Sequence, residues 1–72
     1  MRVFITGATG FIGQALVQRL RQGGHEQVAW VRDAGRARAL LGDDVTLLET
    51  TESDARLAEV MGPCDAVVNL AG

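Results

Sequence analysis

The stretch Thr6-Gly7-Ala8-Thr9-Gly10-Phe11-Ile12-Gly13 constrains the fold of this chain more than any other segment. It stands between a short β-branched run, Val3-Phe4-Ile5, and a segment with helical periodicity. In such a strand-to-helix turn, the three glycines serve different ends. Gly7 lets the chain leave the strand sharply, Gly10 leaves the backbone open to close approach by a pyrophosphate, and Gly13 lets the helix lie close on the strand. Unpaired amides in the first helical turn, at Phe11, Ile12 and Gly13, then face the phosphates, as does the positive end of the helix dipole. Thr9 adds a hydroxyl donor. A glycine triplet alone is weak evidence, and a plain glycine-rich turn is the bland alternative. The preceding strand and following helix are the context that the nucleotide-binding reading requires.

Three further apolar runs read as strands: Val28-Ala29-Trp30-Val31, Val45-Thr46-Leu47-Leu48 and Ala66-Val67-Val68-Asn69-Leu70. All are nearly continuous rather than alternating, the pattern of a parallel sheet covered on both faces. Helical patterns lie between them. In the first, Ile12, Ala15, Leu16 and Leu20 fall on one face expected to be buried, with Arg19 near its edge. Gly23-Gly24 is read as its left-handed stop. Asp33 is placed to cap a second helix that Gly42 ends. Thr51 and Asp54 have capping-box-like spacing before a third helix near Ser53 to Met61, ended by Gly62-Pro63. The order β-α-β-α-β-α-β implies right-handed crossovers, an α/β fold and a parallel sheet with helices on both faces. In the commonest doubly wound topology these are the first four strands, in the order 3-2-1-4, a partial Rossmann fold. A complete domain of this kind takes about 100–150 residues, and strand four would be left as an open edge. The 72 residues are therefore expected to be the N-terminal part of a longer dinucleotide-binding domain. A mini-domain that dimerises through that edge is the alternative.

Composition removes several functions. The seven basic residues are all arginine, and the chain has no tyrosine. A Gly-x-x-x-x-Gly-Lys phosphate loop is therefore excluded, as is any Tyr or Lys proton donor from this chain. A formal charge of −2 without a basic cluster argues against nucleic acid as a partner. One histidine and one cysteine show no metal-ligand spacing, so no metal site is expected. No apolar run is long enough to span a membrane. A single cysteine fits a reducing compartment, and a cytoplasmic location is expected. His25 lies at a helix-to-strand corner without an orienting partner and is read as a surface or capping residue. Cys64 is read as a small packing residue, Trp30 as core or helix-facing, and Glu49, Glu52, Asp54 and Glu59 as solvated charges.

The glycine spacing is Gly-x-x-Gly-x-x-Gly. With Arg2 to Gly13 reading RVFITGATGFIG and the chain closing on DAVVNLAG, the sequence resembles the extended branch of the short-chain dehydrogenase/reductase superfamily. Gly24-His25-Glu26 and Val31-Arg32 add a likeness to its nucleoside-diphosphate-sugar epimerase-like family. The resemblance covers essentially the whole chain. It implies an NAD(P)-dependent epimerase, dehydratase or reductase that acts on a nucleotide-sugar-like or other small hydroxyl or carbonyl substrate by hydride exchange with nicotinamide. It implies a Tyr-x-x-x-Lys pair and a Ser or Thr for catalysis, which must lie beyond Gly72 or be missing. No catalytic residue is therefore named, and whether the parent is an enzyme stays open. A catalytically silent NADP sensor on the same fold is the alternative. By the same resemblance, Leu70, Ala71 and Gly72 pass under the adenine ribose and the bridge to nicotinamide. Asn69 matches a polar position that ties neighbouring strands. The family's acidic contact to adenine after strand three has its nearest equivalent at Thr51 and is left unassigned.

Cofactor choice turns on the end of strand two. An acidic residue there would bind both ribose hydroxyls of NAD. Counting from His25, that position is Val31, and Arg32 follows. A guanidinium suits the 2′-phosphate of NADP, a contact that contributes about 1.5–3 kcal/mol. Arg36 and Arg38 are close enough in sequence to assist. The alternative is that Arg32 is solvated and Asp33 takes the ribose of NAD.

Overall fold

The computed structural model describes residues 1–51 and 53–70. The elements run β1 (Arg2–Thr6), α1 (Phe11–Gln22), β2 (Glu26–Val31), α2 (Ala34–Leu41), β3 (Thr46–Glu49), α3 (Asp54–Met61) and β4 (Ala66–Asn69). All pairings are parallel, in the order β3-β2-β1-β4. The chain thus has the α/β architecture and strand order that its sequence pattern implies.

Successive strand residues point to opposite faces, so the sheet divides the core in two. Val3, Ile5, Ala29 and Val31 meet Val17 of α1 and Ala37 and Leu41 of α2 on one face. Phe4, Val28 and Leu48 meet Val60 of α3 on the other. Buried Gln27 donates through Nε2 to the Val17 carbonyl at 3.1 Å, which fastens α1 to β2. The two-sided burial explains why β1 and β2 read as unbroken apolar runs. β4 departs from that reading. Its burial alternates, and Val67 is 57% exposed, because the cluster under α3 draws its strand residues from β1, β2 and β3.

The helix ends follow local chemistry. α1 closes in a Schellman motif: Gly24, at φ +75°, donates to Arg21 O at 3.0 Å, and His25 donates to Leu20 O at 3.1 Å. Half-buried His25 therefore serves the corner through its backbone. Asp33 caps α2 by accepting from the Arg36 amide at 3.1 Å. The cap of α3 is Ser53, accepting from Arg56 N at 3.2 Å, rather than Thr51, because the helix begins at Asp54. The buried face of α1 is also displaced from the expected one. Gly13 and Val17 are buried, with Leu16 and Leu20 half-buried, whereas Ile12, Ala15 and Arg19 are exposed. The reason is Gly13, which must lie against Gly7 and Ala8 of the turn and thereby sets the rotation of the helix.

Candidate functional site

The glycine turn sits at the carboxyl end of β1, which has a strand on each side, β2 and β4. Gly7 has φ +75°, a conformation that side chains other than glycine rarely adopt. Its carbonyl accepts from Gly10 N at 3.2 Å, closing the turn. A Cβ on Gly13 would stand 2.2 Å from the same carbonyl and 2.6 Å from Ala8 Cα, so only glycine fits. Gly10 is different. It has an ordinary φ of −73°, and a Cβ there would meet only Gly7 O, at 3.4 Å. The chain's own packing gives no reason for glycine at position 10. The open side of its backbone leaves room for a ligand to approach closely.

α1 begins at Phe11 with no side-chain cap. Its first amides, at Phe11, Ile12 and Gly13, have no acceptor among the described residues, and no acidic side chain lies in the first turn. Phe11 is 91% exposed and Ile12 70% exposed, leaving the approach to these amides unshielded by the core. Gln14 donates to Thr9 O at 2.8 Å and so ties the loop to the helix.

A cleft of about 380 Å³ opens beside this turn, lined by Thr9, Trp30, Val31, Arg32, Asp33 and Arg36. Val31 is buried and Arg32 exposed at the end of β2. Neither Arg32 nor Arg36 makes a side-chain hydrogen bond or ion pair among the described residues, so both charges are free for an anion. Asp33 Oδ1 is engaged by the Arg36 amide, which competes with a ribose hydroxyl for that oxygen. Arg38 lies elsewhere. Its guanidinium donates to Gly42 O at 3.2 Å and Val45 O at 2.9 Å, holding the corner between α2 and β3. The expectation that Arg38 assists at the ribose is therefore corrected. Glu49 is not simply solvated either: half-buried, it accepts from Ala34 N at 3.4 Å at the start of α2.

β4 brings its end alongside the turn. Leu70 N donates to Thr6 O at 3.0 Å, and Thr6 Oγ1 donates to Asn69 Oδ1 at 2.6 Å, the strand-to-strand tie expected of Asn69. Ala71 and Gly72 lie outside the described residues. Cys64 packs beside the α3 cluster and donates from Sγ to Val60 O at 3.4 Å. Among the described residues there is no cluster of metal-ligating side chains and no helix long and apolar enough to cross a membrane. Trp30, read from sequence as core or helix-facing, packs against the cluster that includes Val60 of α3 and also lines the cleft, a place the sequence reading did not give it. The available signal was its place as the penultimate residue of β2, near the carboxyl edge.

Residues 3–72 match the sequence model of the NAD dependent epimerase/dehydratase family. The chain belongs to that family. An uncharacterized protein of Schizosaccharomyces pombe is 39% identical over 72 residues, covering 99% of this chain and 24% of that protein. The epimerase family protein SDR39U1 of Mus musculus is 43% identical over 72 residues, covering all of this chain and 20% of that protein. A crystal structure of a Lactobacillus casei protein superposes with a TM-score of 0.78 at 37% identity, over 97% of this chain and 32% of that one. The chain thus spans between a fifth and a quarter of those two curated relatives. Membership of an NAD dependent family implies a nicotinamide dinucleotide cofactor, and the open backbone at Gly10 leaves room for its bridging phosphates.

Proposed function

We propose that this chain is the phosphate- and adenosine-binding part of an NADP-preferring oxidoreductase of the epimerase/dehydratase family. The single observation that carries the reading is Gly10, a glycine that the fold does not need, beside three unclaimed helix amides. In this reading Gly7 and Gly13 fix the turn, and Gly10 admits the pyrophosphate. The amides of Phe11, Ile12 and Gly13 donate to its oxygens, with Thr9 at the rim. Val31 offers no carboxylate to the ribose, and Arg32, with Arg36 beside it, pairs with the 2′-phosphate of the adenosine. In this reading the contacts to the adenine ribose and the bridge to nicotinamide extend to Leu70, Ala71 and Gly72, which follow β4 in the sequence. A bound nicotinamide would supply hydride exchange. The Tyr and Lys that the resemblance implies for acid–base catalysis are not among the residues of this chain. Substrates of the hydroxyl or carbonyl class fit that chemistry.

The test is calorimetric titration of the intact protein with NADPH and NADH, before and after Arg32→Ala. NADPH is expected to bind about 10- to 100-fold more tightly, and the substitution to remove most of that preference. Equal affinities in the unaltered protein would refute the NADP assignment. Failure to bind either coenzyme would refute the dinucleotide reading itself.

A further inference from the structure

Among the residues lining the cleft beside the glycine turn, only Trp30 offers a large apolar side chain that is not fully buried. Val31 is almost wholly buried, and the others are charged or hydroxylic. Trp30 lies in register with Thr6 of β1 on one side and Leu48 of β3 on the other. It packs against the cluster of Phe4, Val28, Leu48 and Val60, which holds it in place. The cleft thus has one aromatic wall, held by the core, within a few residues of two guanidinium groups that have no partner among the described residues. Its volume, about 380 Å³, is within the range of small-molecule sites, about 300–1,000 Å³.

An aromatic surface beside cationic side chains recognises a planar heterocycle attached to a phosphorylated sugar. We infer that Trp30 is a specificity-determining residue whose indole forms the wall for the adenine ring. This inference rests on the proposed dinucleotide reading and extends it from the phosphates to the base. It also divides the work in the cleft. Arg32 senses the 2′-phosphate and so separates NADPH from NADH. Trp30 senses adenine, which both coenzymes carry, and so acts on both equally.

The intact protein is titrated calorimetrically with NADPH, NADH and ADP-ribose, the last carrying adenine without nicotinamide. Trp30→Ala is expected to weaken all three by a similar factor, at least about fivefold, as loss of a base-stacking aromatic does. Trp30→Phe retains most of the affinity. Because Trp30→Ala removes packing, thermal unfolding of both variants is followed alongside. The emission difference between the unaltered protein and Trp30→Phe isolates the Trp30 indole, and ADP-ribose is expected to quench it. Unchanged affinity in Trp30→Ala, or no change in the difference emission when ADP-ribose binds, overturns the inference and leaves the dinucleotide reading standing. Absence of binding to the unaltered protein overturns both.

Discussion

Gly10 and Gly13 stand three residues apart and need to be glycine for different reasons. At Gly13 the reason is internal: a Cβ would stand 2.2 Å from a backbone oxygen. Gly13→Ala is expected to cost about 3 kcal/mol or more through overpacking, which the gain of about 1 kcal/mol in helix propensity does not offset. At Gly10 the reason is external. Gly10→Ala should change stability by less than about 1 kcal/mol, yet weaken coenzyme binding more than about tenfold. Urea unfolding and calorimetric titration of the two variants in the intact protein separate these effects. A Gly10→Ala protein that binds as before would remove the reason for assigning that position to the pyrophosphate. The sequence showed the three glycines and their spacing but could not rank them. Which one is crowded by its own chain depends on how closely the start of α1 lies on the turn at Gly7 and Ala8. The same holds at the arginines. Arg36 and Arg38 look equivalent in sequence, and only the turn into β3 shows that Arg38 is occupied by the Gly42 and Val45 carbonyls.

At the scale of elements, α1 is joined to the corner between α2 and β3 by one side chain. Arg21 pairs bidentately with Asp44, at 2.6 and 2.7 Å, and also donates to the Leu41 carbonyl. The hydrogen bond from Arg21 holds the Asp44 carboxyl below the ordinary range. A depressed folded-state value means that the contribution to stability is complete above the unfolded pKa, about 3.9, and is lost as pH falls through the folded one. Unfolding measured from pH 7 to pH 2 should therefore show Asp44→Asn destabilised by a constant amount above about pH 5, a difference that closes at lower pH. A difference that persists undiminished at pH 2 would mean the pair's charge is not what matters. Element order and type were legible because branching and glycine punctuation repeat along the chain. The phase of α1 was not. Ile12, Ala15, Leu16 and Leu20 form an apolar stripe that periodicity alone selects, and the close approach at Gly13 turns the helix so that Val17 is buried instead.

For the whole molecule, the four-stranded order was readable from the alternation of strands and helices. The uneven cover of β4 was not, since Val67 and Val68 read alike and only one packs against the core. The exposed side of β4 presents Val67 next to a free strand edge among the described residues. The 72-residue polypeptide expressed by itself is expected to self-associate through this border, and Val67→Lys to suppress that association in sedimentation velocity. A monomeric polypeptide before substitution would show that the border is not adhesive. The opposite circumstance governs the turn that bears Gly7, Gly10 and Gly13. It grows from β1, which β2 and β4 grip on both sides. Fraying of either border strand leaves such a support standing, so amide exchange in β1 should proceed only through the largest and rarest openings of the molecule. The glycine turn is thereby anchored in the part that melts last.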